Sequence, residues 1–290
     1  MPADSHWTYL ANCKVPAGEK LPAGTFRYGA VVEYEGSQFC GWQRQAHCTG
    51  VQQVVEKALS KVAAEPVTIA CAGRTDTGVH AWHQVIHFDT TTERAPRNWM
   101  LGANANLPAS VRLHWVEQMQ AQFHARFSAS SRTYRYLIVN RPVKPAVMST
   151  GLSWCRYPLS VQAMAEAAKA LIGEQDFSAF RGAGCQSNTA MRNVQSVEVF
   201  QQGEIVAIDI CANAFLLHMV RNIAGALIEV GRGNQQESWI GKLLAGRDRT
   251  QSAATAPAAG LYLIGVSYPE PFVLPYRQPP AYLLGAGATH

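Results

Sequence analysis

The sequence predicts an α+β fold built from two ferredoxin-like (split βαβ) units, whose antiparallel sheets lie side by side and leave a central cleft. The main observation is an order of elements, β-α-β-β-α-β, that occurs twice along the 290 residues, the second time with an added helix. The composition agrees, because 48% apolar and 16% charged residues are typical of a globular protein with a substantial core. No repeat of the residues themselves accompanies this repeated order.

The first half of the chain contains the first set of elements. Apolar runs predict strands at 26–34, 67–71, 84–90 and 111–119. Residues 51–63 carry apolar side chains at helical spacing, and residues 96–106 are predicted to form a second, short helix.

The second half repeats the order. Apolar runs predict strands at 131–140, 194–200, 205–211 and 261–268. Helical spacing predicts helices at 161–172, 214–230 and 239–245. Gly173 and Gly231 follow the first two helices as C-caps, and Gln202-Gly203 forms a turn between two of the strands.

The predicted domain boundary falls between the two sets of elements. We expect an N-terminal α/β unit at 25–125 and a C-terminal α/β unit at 126–270. Residues 1–24 are rich in Pro, Ala and Gly, so we expect a flexible extension there, and the Pro-rich residues 271–290 form a tail. A cleft between two sheets suits an extended ligand.

Composition and charge narrow the class of protein. No apolar run reaches the roughly 18 residues needed to cross a bilayer, and residues 1–22 lack a signal-peptide pattern, so we expect a cytoplasmic protein without membrane contact. The seven cysteines are dispersed without a C-x-x-C pair, which favours reduced thiols over a disulfide or zinc framework.

The net charge is +5, and 18 of the 25 basic residues are arginines. This suits a polyanionic partner, but equally a lightly basic soluble protein.

The stretch 72–80, Ala-Gly-Arg-Thr-Asp-Thr-Gly-Val-His, lies between two predicted strands and is the first candidate site. Its two glycines allow a tight turn, so we expect Asp76 on a rigid loop at a strand end. A carboxylate there could serve as a nucleophile, a base or a metal ligand. The alternative is an aspartate that closes its own turn through a side-chain hydrogen bond.

The predicted helix 214–230 carries a narrow polar stripe on an otherwise apolar surface, and we interpret the stripe as the wall of a cleft. The stripe consists of His218, Arg221, Asn222, Gly225 and Glu229. A half-buried Arg221 needs an anionic partner, which could be Glu229, a phosphate or Asp76. The alternative is a structural ion pair that takes no part in chemistry.

The predicted strand at 131–136, Ser-Arg-Thr-Tyr-Arg-Tyr, alternates aromatic and basic side chains. Tyr134 and Tyr136 share one face, and Arg135 takes the other. Aromatic rings beside arginines suit a nucleobase-binding surface. The alternative is a strand whose tyrosines face a core and whose arginine faces water.

Two other chemistries are disfavoured. His83 and His87 share a face of a predicted strand and His80 falls in the loop, without the spacing of a zinc site. Asp76-Thr77-Gly78 matches the tripeptide of aspartic proteases, but those enzymes need two such aspartates and the chain contains a single D-[ST]-G. We therefore expect neither a metal site nor a protease.

The stretch 71–80 resembles the active-site motif of the tRNA pseudouridine synthase A family. Six further blocks resemble that family's blocks in the same order, so that the resemblance covers about residues 26–270. These blocks are Gly41–Gln45, Asn104–Pro108, Phe123–Phe127, Tyr134–Tyr136, His218–Asn222 and Gly260–Leu263.

The resemblance implies an isomerase that converts uridine to pseudouridine at positions 38, 39 and 40 of the tRNA anticodon stem-loop. It implies tRNA as the partner, a homodimer, no metal and no cofactor. Carried over by motif, Asp76 is the nucleophile, Arg74 holds the flipped-out nucleotide and fills its place in the stem, and Tyr134 stacks on the uracil. Arg221 pairs with Asp76, and Leu261 packs against the base.

A rival function from another class is a non-catalytic RNA-binding protein on the same scaffold. Asp76 with Arg221 distinguishes the two, because a protein that only binds RNA has no use for a half-buried ion pair in its cleft. The sequence leaves open whether Asp76 attacks the ribose, adds to the base or deprotonates the sugar.

Overall fold

The protein has a mixed α+β fold, which confirms the predicted class. A computed structural model describes residues 21–275 and 277–283, and these contain ten strands and five α-helices. They form two compact units. The N-terminal unit contains 21–77, 81–130 and the described part of 265–277, and the C-terminal unit contains 78–80, 131–264 and 278–283. Most of the extension predicted at 1–24 lies outside the described residues.

The N-terminal unit is an antiparallel sheet with two helices. Strand β1 pairs with both β3 and β4, β2 pairs with β3, and α2 packs against α1 and β4. The elements are β1 (Phe26–Tyr34), α1 (Val51–Ala63), β2 (Ile69–Cys71), β3 (His80–Thr90, of which His80 belongs to the C-terminal unit), α2 (Pro96–Asn106) and β4 (Val111–Met119).

Three aromatic rings fill the core of this unit. Tyr28 and Phe88 lie directly opposite each other on β1 and β3, and their ring centroids are 5.5 Å apart. Trp99 on α2 packs against both, at 5.3 Å from Tyr28 and 5.1 Å from Phe88. All three side chains are fully buried. Such pairs contribute about 0.5–1.5 kcal/mol each beyond the area they bury, so they fix α2 against the sheet.

The C-terminal unit contains further paired strands and three helices. Strand β9 pairs antiparallel with β5 and β8, β7 pairs antiparallel with β8, and β6 runs parallel to β5. Helix α3 packs against α4 and β8. The elements are β5 (Ser131–Asn140), β6 (Ser153–Cys155), α3 (Val161–Ala168), β7 (Gly173–Asp176), β8 (Met191–Gln202), β9 (Ile205–Ala212), α4 (Met219–Gly231), α5 (Trp239–Gly246) and β10 (Leu261–Ser267, of which residues 265–267 belong to the N-terminal unit).

Most predicted elements are present, although several boundaries differ. Strands β6 and β7, with three and four residues, were not predicted, because such short pairings leave no periodic signal. Helix α3 ends at Ala168 and continues as a 3₁₀ turn, Lys169–Leu171. The description of each unit as ferredoxin-like, with sheets side by side around a cleft, stays a prediction.

The placement of His80 in a loop is wrong, because β3 begins at this residue. The ring of His80 is buried, and its Nε2 lies 2.9 Å from the carbonyl of Thr150 and 3.1 Å from that of Ala259. The ring also stacks on Tyr262, with centroids 4.6 Å apart. Apolar patterning alone predicts that this strand begins at residue 84. The polar His80 is part of the strand because it contacts residues far away in the sequence.

The prediction of reduced cysteines is wrong for Cys40 and Cys48, which form a disulfide. The chain folds back between them, with the amide of Cys40 donating to the carbonyl of Thr49 at 3.0 Å. This brings the two Cα atoms to 6.2 Å, within the range that a disulfide spans.

Among the described residues, no helix is both long and apolar enough to cross a membrane.

Two buried histidines on β3 resist protonation. Burial lowers the pKa of His83 to about 4 and that of His87 to about 3. The Nδ1 atom of His87 accepts a hydrogen bond from the amide of Ala125 at 3.1 Å, which requires this nitrogen to be unprotonated. The ring of His124, whose centroid lies 4.4 Å from that of His87, lowers the pKa of His87 further, because two positive charges so close together repel each other.

We expect the free energy of unfolding to fall with pH below about 6.5. There the unfolded chain protonates these histidines while the native state does not, so stability is complete above the unfolded pKa and declines toward the native one. Each histidine contributes a slope of roughly 1.4 kcal/mol per pH unit between pH 6 and 5. Urea unfolding of His87→Asn, which keeps an acceptor for the Ala125 amide, should show a smaller slope by about that amount. A slope equal to that of the wild type contradicts this origin.

Candidate active site

The Asp76 loop, residues 72–79, joins β2 to β3. It begins with a continuation of the strand ladder, since the amide of Ala72 donates to the carbonyl of Val85 at 2.8 Å. Asp76 is partly buried in this loop, and Arg74 is exposed. A carboxylate and a guanidinium therefore lie two residues apart at the end of a short strand, as the sequence predicts for the motif.

The segment that follows β1 holds the backbone of the loop. The amide of buried Trp42 donates to the carbonyl of Thr75 at 2.9 Å. Gly41 precedes it with φ of +80°, and a Cβ atom there would lie 2.7 Å from the carbonyl oxygen of Thr75 and 3.0 Å from the carbonyl carbon of Asp76. Position 41 thus requires a glycine for two reasons: its φ is positive, and a side chain would prevent the close approach of the two backbones.

Buried side chains fix the loop at two further points. The hydroxyls of Tyr34 and Thr75 share a hydrogen bond of 2.7 Å. The side-chain amide of Gln84 donates to the carbonyl of Gly73 at 2.6 Å and lies 3.4 Å from the Tyr34 hydroxyl. Tyr34 and Gln84 are both buried. The loop is therefore anchored on either side of Arg74 and immediately before Asp76.

Sequence reasoning missed these supporting residues. The sequence predicts Gln84 as part of an apolar strand and Tyr34 as the end of another, and nothing local identifies Gly73 or Thr75 as their partners. The one available signal is that an amide buried in a strand needs a hydrogen-bond partner. Gly41 lies in one of the family-like blocks, but its role depends on a contact with the distant Thr75.

Arg221 lies in the first turn of α4 and is partly buried. Its Nε donates to the carbonyl of Ala256 at 2.8 Å, and the amide of Ala256 donates back to the carbonyl of Arg221 at 3.2 Å. This reciprocal contact fixes the plane of the guanidinium. An arginine oriented in this way is suited to a carboxylate or a phosphate.

The interpretation of the polar stripe as a cleft wall is wrong for Asn222 and Gly225. Asn222 is fully buried and accepts a hydrogen bond of 2.6 Å from the hydroxyl of Thr255. A Cβ atom at Gly225 would lie 2.2 Å from the carbonyl oxygen of Ala254. These two positions are instead the docking surface of the segment around 254–256, which crosses the helix within the C-terminal unit.

The ends of the stripe also differ from the prediction. Helix α4 begins at Met219 and not at residue 214, because His218 has a left-handed backbone with φ of +59°. The preceding carbonyl, of Leu217, accepts from the amide of Gly182 at 2.8 Å and so holds the chain out of the helix. At the other end, Glu229 forms an ion pair of 2.8 Å with Arg232.

Tyr134 is buried on β5, and its ring meets that of Phe215 edge to face at 5.0 Å. The alternative of a water-facing Arg135 is wrong. Arg135 is buried and forms an ion pair of 2.6 Å with Asp209, which lies directly opposite on β9. The arginine of this strand is therefore structural, while Phe215 fixes the ring plane of Tyr134.

Residues 256–261 connect the candidate residues of the C-terminal unit. Ala256 contacts Arg221 as described, and the carbonyl of Pro257 accepts from the hydroxyl of Tyr136 at 2.8 Å. Burial raises the pKa of that hydroxyl. Leu261 is buried at the start of β10, its amide bonded to the carbonyl of Ala258 at 2.9 Å.

The five predicted site residues divide between the units. Asp76 and Arg74 belong to the N-terminal unit, and Tyr134, Arg221 and Leu261 belong to the C-terminal unit. Their meeting in one site, with Arg221 paired to Asp76, stays a prediction. Over the described part of the chain, no group of three His, Cys, Asp or Glu side chains is arranged to hold a metal ion.

Comparison with known proteins identifies the family. The model of a family described as tRNA pseudouridine synthase matches residues 30–128 and 167–269. A protein named tRNA pseudouridine synthase A from Hydrogenovibrio crunogenus is 54% identical over 244 residues, which cover 84% of this chain and 93% of the relative. Proteins of the same name are similar in Cronobacter sakazakii, at 51% over 262 residues (90% and 96% covered), and in Klebsiella pneumoniae, at 52% over 250 residues (86% and 93%).

The family model spans both units and includes Arg74, Asp76, Arg221 and Leu261, whereas Tyr134 lies between its two matched segments. The family resemblance noted from the sequence motifs is thus confirmed. The chain belongs to the tRNA pseudouridine synthase family, whose members are isomerases that act on uridine in tRNA.

Proposed function

We propose that this chain converts uridine to pseudouridine at positions 38, 39 and 40 of the tRNA anticodon stem-loop, with Asp76 as the nucleophile. The observation that carries the proposal is the position of Asp76, partly buried on a loop whose backbone is fixed at Gly73 and Thr75. A nucleophile held in place before the substrate arrives lowers the entropic part of the barrier. The likeness of residues 71–80 to the family's active-site motif supports the same assignment.

The reaction suits a carboxylate acting without an oxidant or reductant. The bond between N1 of uracil and C1′ of ribose breaks, and a bond between C5 and C1′ forms. The proton on C5 is lost and N1 gains one, so the product is an isomer of the substrate. A carboxylate that forms a covalent adduct and then leaves divides this difficult exchange into two easier steps.

Access to the uridine requires its extrusion from the stem. Flipping a nucleotide costs a few kcal/mol, and less near a loop or a stem end. Arg74 is exposed on the same loop as Asp76, where it can hold the flipped nucleotide and fill the space left in the stem. Stacking of uracil on Tyr134 returns about 1–3 kcal/mol.

The remaining site residues complete the proposal. Arg221, with its guanidinium plane fixed by Ala256, pairs with Asp76 and orients its carboxylate. Leu261 packs against the base. The protein acts in the cytoplasm as a homodimer in which one tRNA contacts both subunits. Specificity for the anticodon stem-loop comes from its shape and from phosphate contacts by arginines.

The substitution Asp76→Asn tests the nucleophile. We expect tRNA binding within a few-fold of the wild type and no pseudouridine, because the amide keeps the shape of the side chain without its nucleophilic oxygen. Pseudouridine formed on unmodified tRNA and affinity measured by filter binding give the two readouts. Asp248→Asn, at the exposed cap of a short 3₁₀ turn, makes the same chemical change elsewhere and should retain full activity. Turnover by Asp76→Asn near the wild-type rate would refute the assignment.

The substitution Gly41→Ala tests the anchoring of the loop. Its Cβ atom must displace the backbone at Thr75 and Asp76, so we expect the single-turnover rate to fall about tenfold to a hundredfold. Gly24→Ala is a matched control, because Gly24 has a similar φ of +77° but no atom within 4 Å of an added Cβ. Both variants carry the cost of a left-handed alanine, roughly 1 kcal/mol.

Thermal melting of the two glycine variants verifies that each is folded at the assay temperature. Equal single-turnover rates in Gly41→Ala and Gly24→Ala would show that the approach of Gly41 to the loop does not position Asp76.

A further inference from the structure

The ring of Phe127 is presented at the surface of the N-terminal unit. It is 49% exposed, whereas Phe123 and Ala125 in the same segment are fully buried. The guanidinium of exposed Arg126 lies 5.6 Å from the centroid of this ring, and the ring of His124 lies 4.3 Å from it at an interplanar angle of 31°. We call His124, Arg126 and Phe127 the Phe127 platform.

The platform is held by a closed turn. The Nδ1 atom of His124 accepts from the amides of Arg126 at 3.1 Å and Phe127 at 3.2 Å. The hydroxyl of Ser128 accepts from the amide of His124 at 3.0 Å, and the amide of Ser128 donates to the carbonyl of His124 at 2.9 Å. Four hydrogen bonds within five residues fix the backbone that carries Phe127, so its ring is preorganised for a partner.

The platform lies beside the start of the Asp76 loop. The amide of Ala125 donates to Nδ1 of His87 on β3, and His87 is directly opposite Ala70 on β2, two residues before the loop begins. Arg74 and Arg126 are both exposed in the N-terminal unit, so both contribute positive charge to its surface.

We propose that Phe127 stacks on an unpaired nucleobase of the tRNA, outside the nucleotide that reacts, while Arg126 contacts the adjacent phosphate. A rigid, half-exposed ring beside a guanidinium has the parts of a single-base stacking platform. One ring offers too little apolar area for a stable protein interface, which needs about 800 Å² from each partner. The inference rests on the proposed function in one respect, that the substrate is tRNA.

The affinity of an unmodified tRNA transcript tests the platform. We expect Phe127→Ala to weaken binding roughly 5- to 150-fold, the effect of losing one stacked base. Phe127→Tyr should bind as the wild type, and Phe127→Leu should resemble Phe127→Ala because it keeps apolar area without a ring. Leu101→Ala is the control, since Leu101 is 52% exposed on α2 of the same unit.

Two results would overturn the stacking role. They are wild-type affinity in Phe127→Ala, and wild-type affinity in Phe127→Leu, which would indicate a plain apolar contact. For the phosphate contact, Arg126→Gln should reduce the slope of log Kd against log salt by about 1, and an unchanged slope would remove Arg126 from the proposal.

A crosslinking experiment separates this inference from the proposed function. With p-benzoylphenylalanine in place of Phe127, irradiation should attach the protein to tRNA, and the same group in place of Leu101 should not. Absence of a crosslink at 127 while pseudouridine is still formed would contradict the platform alone. Crosslinking at 127 by a protein whose wild-type form makes no pseudouridine would contradict the proposed function alone.

Discussion

The hydrogen bond from the amide of Trp42 to the carbonyl of Thr75 fixes the position of the Asp76 backbone. It forms because Gly41 brings two main chains closer than any residue with a side chain would allow. Burial of Trp42, together with the Tyr34 and Gln84 contacts, keeps water from competing for the same groups. The apolar core of the N-terminal unit thus supplies the rigidity that a nucleophilic carboxylate needs.

The elements that the sequence predicted well are those whose signal is local. Helix α1 has the predicted bounds of 51–63, since its apolar face repeats at helical spacing over thirteen residues. Strand β1 also agrees at 26–34. The start of α4 could not be predicted, because the carbonyl of Leu217 is bonded to Gly182 and the backbone of His218 is left-handed. Both depend on contacts between residues far apart in the chain.

The same limit applies to the candidate site. The motif around Asp76 was visible because it is contiguous, and its likeness to a family extended to Tyr134, Arg221 and Leu261. The polar stripe of α4 was visible too, but polarity alone does not identify a partner. Asn222 serves Thr255 and the neighbouring segment, whereas Arg221 is oriented by Ala256 and is suited to an anion. Residues of one stripe therefore have different roles, and three-dimensional contacts distinguish them.

A map of pseudouridine in tRNA from cells with and without this chain tests the central claim most directly. We expect pseudouridine at positions 38, 39 and 40 to be lost without the chain and to return when it is supplied, with other pseudouridines unchanged. Retention of pseudouridine at these three positions in cells that lack the chain would contradict the proposed function.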